Sequence, residues 1–185
     1  MIFKFVSIIT IILNPCTINV YLCAMPTPKT PKTYSPQDAL AKAMSFCAYQ
    51  ERSRKEVRDK LYSFGLEDDD EVESILDKLT KDNFINEERF AKAFAGGKFR
   101  MKKWGRLKIR MELKAHGLPP ELVRKGLEEI DPDAYESTLR DLAEKKNAQE
   151  READPLVRKQ KLLRYLLGKG YEQDLAWDAL NALEE

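Results

Sequence analysis

Apolar residues recur along this chain in one arrangement that occurs three times. In each copy an aliphatic residue is followed four positions later by leucine, and glycine follows that leucine after four more positions. The three sets are Val57, Leu61 and Gly65, then Ile109, Leu113 and Gly117, then Leu162, Leu166 and Gly170. The glycines lie 52 and 53 residues apart. Such near-constant spacing predicts one supersecondary unit used three times.

Each copy is predicted to be a short helix. Residues four positions apart share one helix face, so each aliphatic–leucine pair forms an apolar stripe that faces a core. Glycine ends the helix because it takes the left-handed conformation at little cost. At the start of the first copy, Ser53 and Glu56 form a capping box, in which each side chain satisfies a free backbone amide.

Further helices are predicted before and after each copy. Pro119 and Pro120 can open the one that follows Gly117, since proline in the first turn loses no hydrogen bond. Polar residues typical of helix starts precede other apolar stripes at Asn86 and Asp131. This indicates an all-α chain of nine helices, arranged as a solenoid of three tandem three-helix repeats. The predicted divisions are a leader and arm at 1–34 and repeats at 35–83, 84–130 and 131–185.

The first 24 residues differ from the rest. Residues 2–13 are mostly apolar but too few to span a membrane comfortably. With Lys4 as a basic region they resemble a signal peptide, yet no good cleavage site follows. Met25 begins a polar arm typical of a cytosolic N-terminus, so we expect translation to start there. The alternative is a genuine targeting segment, which would make the chain an exported or membrane-tethered helical protein.

Composition restricts the function less than the distribution of charge does. The chain has 32 basic and 31 acidic residues, so its net charge says little about partners. Its three cysteines, Cys16, Cys23 and Cys47, have no paired metal-ligand spacing, and the later repeats have none. That excludes a disulfide framework and favours a reducing compartment. Cys47 lies on an apolar stripe and is predicted to be a small buried hydrophobe.

Residues 98–114 are strongly basic, with eight basic residues and one acid, a net charge of +7. On a helix, Arg106, Arg110 and Lys114 form a ridge beside the core stripe. Arg54 and Arg58 occupy the equivalent positions of the first repeat. Rows of cations suit a phosphate backbone or an acidic protein surface, whereas the simpler interpretation is a solvated helix face. The candidate binding residues are Arg54, Arg58, Lys98, Arg100, Lys102, Lys103, Arg106, Lys108, Arg110 and Lys114.

Other candidate chemistry has simpler structural explanations. Trp104 could stack on an unpaired base, but a core position is the favoured interpretation. The four acids at 68–71 are typical of a helix N-terminus, and no second cluster completes a metal site. His116, the only histidine, precedes a terminating glycine, where a cation complements the helix end. No catalytic set, phosphate loop or cofactor motif is present, so no enzyme and no cofactor are predicted. Gly96 and Gly97 are expected to loosen a helix.

These residues resemble the RecX regulatory proteins of bacteria from Gln37 to the C-terminus. The resemblance is most specific in the second repeat. The motifs that carry it are Arg52-Ser53-x-x-Glu56-Val57-x-x-x-Leu61, Phe84-Ile85-Asn86-x-x-Arg89-Phe90-Ala91, Lys98-Phe99-Arg100 and Trp104-Gly105-x-x-Lys108-Ile109-x-x-x-Leu113-x-x-x-Gly117. The departures are the paired glycines at 96 and 97 and the apolar leader.

The resemblance implies a function that composition would not have named. RecX-like proteins have an elongated, curved body that lies in the groove of the RecA filament on single-stranded DNA, and they usually oppose its activity. We therefore expect a non-enzymatic, cytoplasmic, monomeric inhibitor of the RecA recombinase with no membrane association. The alternative is a helical module that binds nucleic acid independently of RecA.

Overall fold

The computed structural model describes residues 33–183. Within this range the chain forms helices and no strand, which confirms the predicted all-α fold. The helices are α1 (Pro36–Tyr49), α2 (Arg54–Ser63), α3 (Asp69–Lys81), α4 (Glu87–Lys102), α5 (Arg106–Ala115), α6 (Pro120–Leu127), α7 (Pro132–Gln149), α8 (Pro155–Lys169) and α9 (Gln173–Asn181). In this range no helix combines the length and apolar character that crossing a membrane requires. The predicted leader, the start at Met25 and the first two cysteines lie outside the described residues.

Helix starts and ends follow the local sequence. Ser53 Oγ accepts a hydrogen bond from the Glu56 amide at 3.1 Å, and the Glu56 carboxylate accepts one from the Ser53 amide at 3.1 Å. The capping box is therefore confirmed. The three repeat glycines have φ values of 85°, 85° and 91°, the left-handed region in which a side chain is strained. The acids near residue 70 also lie at a helix start, because Asp68 caps α3.

The expectation that Gly96 and Gly97 loosen a helix is wrong. Helix α4 continues unbroken through both residues. Two glycines inside a helix cost about 2 kcal/mol relative to alanine. Phe90 and Phe99 are buried on either side of them, at 4% and 7% exposure. Each such side chain contributes about 1.5–3 kcal/mol on burial. Packing of α4 therefore outweighs its poor local helix propensity.

The repeat aliphatics form the core, as predicted. All six are at most 4% exposed. Helices α1 to α3 enclose one apolar cluster, which includes Leu61 and Leu76 and contains the buried thiol of Cys47. Helices α4 to α9 share a second cluster, which runs from Phe90 to Leu180. The second and third groups of three helices are thus joined by one continuous core, whereas the first group has its own.

The middle helices of the second and third groups meet end to end. The amides of Gly105 and Leu107, at the start of α5, donate to the carbonyls of Lys169 and Gly170, at the end of α8, over 2.9 and 3.0 Å. Free amides of one helix end therefore satisfy free carbonyls of another. A side chain at Gly105 would overlap the Gly170 carbonyl, and one at Gly170 would overlap Lys108. Glycine at both positions permits this close backbone approach.

The first and second groups meet through polar side chains instead. Ser53, which is fully buried, lies with its Oγ 3.3 Å from Nδ1 of His116, the residue that caps the end of α5. The ammonium group of Lys55 donates to the Ala115 carbonyl at 2.9 Å, and Arg89 forms an ion pair with Glu51 at 2.7 Å. The same end-to-end arrangement of middle helices is therefore closed by side chains here and by backbone at the other junction.

Candidate partner-binding surface

The basic residues of the second group come from the end of α4 and from α5. On α5, Ile109 and Leu113 are fully buried, and these two anchors fix the rotation of the helix. With about 100° of rotation per residue, Arg106, Arg110 and Lys114 then follow one another along a single side of the helix. Arg110 and Lys114 are exposed, and Arg106 is half-buried. The predicted ridge is therefore present as a geometric feature.

The cations of residues 98–114 are not neutralised within the described part of the chain. None of the eight forms an ion pair with a carboxylate there, although thirteen other ion-pair contacts are present in that part. The residues are Lys98, Arg100, Lys102, Lys103, Arg106, Lys108, Arg110 and Lys114. A concentration of unpaired positive charge attracts anionic partners and accelerates their association.

Arg54 and Arg58 of the first group have a different environment. Arg54 forms ion pairs with Glu73 at 2.8 Å and Asp77 at 2.6 Å, and Arg58 reaches Glu73 at 2.6 Å. Hydrogen bonds from Arg54 and Arg58 hold the pKa of the Glu73 carboxyl below its ordinary value. The two arginines thus join α2 to α3. The sequence did not reveal these partners, because they lie 15 to 23 residues away on another helix.

A groove lies between the basic ridge of α5 and helix α6. Its volume is about 640 Å³. One wall carries Arg106, Arg110 and Lys114, and the floor includes the apolar side chains of Val123 and Leu127. Arg124 also lines it, in an ion pair with Glu128. The groove therefore combines an apolar floor with a cationic wall.

The third group of helices holds Arg106 in place. The Arg106 amide donates to the Tyr135 hydroxyl at 3.0 Å, and its guanidinium carbon lies 4.1 Å from the centre of the Tyr135 ring. The Tyr135 hydroxyl in turn donates to Glu172 at 2.6 Å. Burial, together with the hydrogen bond to Glu172, raises the pKa of Tyr135 far above its ordinary range. The neighbouring Tyr171 hydroxyl is buried with no hydrogen-bond partner in the described structure.

Sequence reasoning missed this tyrosine network. Tyr135 belongs to the apolar stripe that follows Asp131, and nothing in its spacing along the sequence points to Arg106 or Glu172. The one available signal was the position of Asp131 and Pro132, which place Tyr135 in the first turn of a helix. His116 lies at the end of α5, where the sequence placed it. Its ring also packs against Phe90 and Phe94, with ring centres 5.2 and 5.3 Å away, and the sequence did not indicate these contacts.

A second cationic area surrounds Trp104. This side chain is half-buried against the core, and the ammonium groups of Lys98 and Lys108 lie 5.2 and 4.7 Å from its ring centre. Lys108 is two residues from Arg110, which places it about 160° away around α5. The tryptophan area and the groove therefore lie on different sides of α5. Phe99, by contrast, is buried in the core.

Within the described residues, no cluster of histidine, cysteine or acidic side chains is suited to hold a metal ion. The described thiol, that of Cys47, is buried, and this burial raises its pKa. The basic surface presents cationic and apolar groups, which suit contacts with anionic and apolar groups.

Comparison with known proteins places this architecture in a family. Three family models match in chain order, and each describes one three-helix domain of RecX. The first matches residues 39–79, the second matches residues 86–127 and the third matches residues 133–180. The order and spacing of these matches follow the three groups of helices.

Individual relatives agree with the family models. Regulatory protein RecX of Clostridium perfringens is 34% identical over 125 residues, which is 66% of this chain and 58% of that protein. The chain thus spans a little over half of the length of this relative. Regulatory protein RecX of Prosthecochloris aestuarii is 29% identical over 147 residues, 78% of this chain and 93% of that protein.

A solved structure has the same fold. The crystal structure of RecX from Lactobacillus salivarius superimposes with a TM-score of 0.70, over 80% of this chain and 96% of that one, at 23% sequence identity. That likeness concerns the fold alone. The three domain matches and the sequence relatives carry the assignment further: this chain belongs to the RecX family.

Proposed function

We propose that this chain is a non-enzymatic regulator that binds the RecA filament on single-stranded DNA and inhibits recombinase activity in the cytoplasm. The observation that carries the proposal is the cationic surface of α4 and α5, which forms no ion pair with any carboxylate of residues 33–183, in a chain of the RecX family. Its curated relatives are named regulatory proteins. A monomer that occupies the filament would oppose filament extension and strand exchange.

The charge distribution supports this role. A filament of protein and single-stranded DNA offers phosphates, and basic side chains that replace condensed counterions gain affinity from their release. In the first group of helices, α3 carboxylates neutralise Arg54 and Arg58. We therefore place the main contact on the second group, with the two arginines of α2 contributing only where the partner displaces Glu73 and Asp77.

The three described groups with the largest pKa shifts have structural explanations. Burial is the main cause for Tyr135 and Tyr171, and hydrogen bonds from Lys125 and Lys92 are the main causes for Glu88. Each of these shifts therefore follows from core packing or from an ion pair between helices.

The test uses charge reversal at the two exposed residues of the ridge. Arg110→Glu combined with Lys114→Glu should abolish inhibition of RecA-driven, DNA-dependent ATP hydrolysis by substoichiometric chain, with helicity unchanged. The matched control is Arg140→Glu with Lys145→Glu, which makes the same charge change on exposed positions of α7. A parent chain that never inhibits RecA would overturn the proposed function. Equal inhibition by the ridge variant and the parent would refute the role of the ridge.

A second candidate function is direct binding of single-stranded nucleic acid. It is favoured by Trp104, whose ring lies among Lys98 and Lys108, because aromatic rings among cations can stack on unpaired bases. This candidate predicts that the chain alone binds an oligonucleotide, with an affinity that falls steeply with salt concentration. Trp104→Leu would weaken that binding while the lysines remain.

A further inference from the structure

The groove between α5 and α6 has a composition that neither a solvated helix face nor a phosphate site explains. Three of its cations lie on α5, and α6 contributes Arg124, paired with Glu128, together with aliphatic groups that form the floor. Val123 is 3% exposed and Leu127 is half-buried, so the floor is set by residues that also pack in the core. The groove is therefore a preformed feature of the fold.

Apolar surface continues beyond the cationic wall. Leu107 and Met111 on α5 are 39% and 70% exposed. Their positions place them on the outer side of α5, next to Arg110 and Lys114. The wall of positive charge is thus bordered by apolar groups both in the groove and outside it. A helix face that only contacts solvent would not require exposed apolar side chains beside the cationic ones.

The positive charge of the groove favours a negatively charged ligand. Arg106, Arg110, Lys114 and Arg124 line it together with one acid, Glu128, which pairs with Arg124. The excess of positive charge excludes a basic segment. It favours an occupant that carries carboxylates or phosphates.

The apolar floor favours an acidic peptide over a nucleic acid as the anionic ligand of the groove. A nucleic acid binds through phosphates and through bases stacked on aromatic rings. The residues that line the groove include no aromatic side chain. Trp104, the aromatic residue among cations, lies on the side of α5 marked by Lys108. A peptide with alternating acidic and aliphatic residues satisfies both the wall and the floor, since its aliphatic side chains displace water from Leu127.

We infer that the groove between α5 and α6 binds an acidic peptide segment of the protein partner, with an aliphatic side chain seated on Leu127 and carboxylates on the α5 ridge. This inference rests on the proposed function, and it assigns the ridge to protein contact. The area around Trp104 then remains available to DNA.

The first experiment measures peptide binding by the full chain without RecA. The probe is a fluorescein-labelled peptide of glutamates, with leucines three and four positions apart. Leu127→Gln should weaken binding about tenfold, the loss expected for one buried aliphatic side chain. The matched control is Leu167→Gln on α8, the same change at a 39% exposed leucine outside the groove, which should leave affinity unchanged.

A second variant guards against misfolding of the first. Lys114→Gln alters an exposed side chain of the wall and should also weaken peptide binding, without loss of helicity. Replacing the leucines of the probe with serine should abolish binding even though every glutamate remains. Equal affinity for the two probes would mean simple charge attraction and would overturn the inference.

The second experiment identifies the class of partner on the filament. A photo-crosslinking phenylalanine derivative replaces Leu127 in one chain and Lys102 in another, and each is irradiated on RecA filaments assembled on labelled DNA. The Leu127 position should yield adducts with protein. Adducts with DNA at that position would overturn the inference.

The two proposals fail in different ways. A chain that binds the peptide but neither binds nor inhibits RecA removes the proposed function and leaves the groove assignment standing. A chain that inhibits RecA but gives no specific peptide binding and no protein adduct at Leu127 removes the groove assignment and leaves the function standing.

Discussion

The junction between α5 and α8 makes a quantitative prediction about glycine. Gly105 has a φ of −76°, which any residue adopts, so alanine there introduces no backbone strain. Its Cβ, however, would overlap the carbonyl group of Gly170, well inside the 3.0 Å that real contacts respect. Because the neighbours are backbone atoms, they cannot move aside as a flexible side chain could.

The expected cost of Gly105→Ala follows from the contacts that must separate. Overpacking costs about 1–3 kcal/mol. Lengthening the hydrogen bonds from the Gly105 and Leu107 amides costs about 1 kcal/mol each. We therefore expect the free energy of unfolding to fall by about 2–5 kcal/mol, since the two terms overlap only in part.

Two other glycines serve as matched controls for the same chemical change. Gly97 lies inside α4, and no described residue comes within 4 Å of an added Cβ, so Gly97→Ala should stabilise the chain by about 0.5–1 kcal/mol. Gly117 is the equivalent of Gly170 at the other junction and also has open space, but its φ is 85°. Gly117→Ala should cost about 1–2 kcal/mol, from backbone strain alone.

The assay is urea unfolding followed by far-ultraviolet circular dichroism, with the three variants and the parent measured together. The predicted order of stability is Gly97→Ala, parent, Gly117→Ala, Gly105→Ala. If Gly105→Ala unfolds at the same urea concentration as the parent, the close backbone contact between α5 and α8 does not exist in solution.

The remaining predictions concern the tyrosines and one carboxylate. Tyr171→Phe should leave the free energy of unfolding unchanged or raise it by up to about 1 kcal/mol, since the buried hydroxyl has no hydrogen-bond partner in the part of the chain that the structure describes. Tyr135→Phe should lower the free energy of unfolding by about 1–3 kcal/mol, because Glu172 and the Arg106 amide lose their hydrogen-bond partner. Urea unfolding of both variants distinguishes the two tyrosines. Equal effects of the two substitutions would contradict the hydrogen-bond network around Tyr135. Lys125 and Lys92 lower the pKa of Glu88 to about 2, so this carboxylate contributes stability above its ordinary pKa of 4.5, and that contribution is lost as the pH falls from 4.5 towards 2. Nuclear magnetic resonance titration should find the low midpoint in the parent and a higher one in Lys125→Gln, and an unmoved midpoint would refute the ion pair.

Several features of this protein are determined by short stretches of sequence. The three glycines, the capping box at Ser53 and the aliphatic–leucine spacing predicted helix boundaries and core positions that the structure confirms. Each depends on interactions within about one or two helical turns, for which residue spacing along the chain is a direct measure of distance in space. The basic ridge of α5 belongs to the same class.

Tertiary structure decided which side chains of different helices contact one another. Arg54 and Arg106 occupy equivalent positions of the repeat, yet one is neutralised by carboxylates of α3 and the other lines an open groove. The partners of Arg54 come from α3, whose rotation is set by its own core residues. Two arginines at equivalent positions of the repeat therefore differ in whether a carboxylate neutralises them.

Packing between helices also explains α4, where burial of Phe90 and Phe99 overrides the helix-breaking tendency of two glycines. It also explains the two junctions, one closed by glycine backbone and the other by Ser53 and His116. Contacts between distant segments depend on how whole helices pack, and no local pattern encodes them.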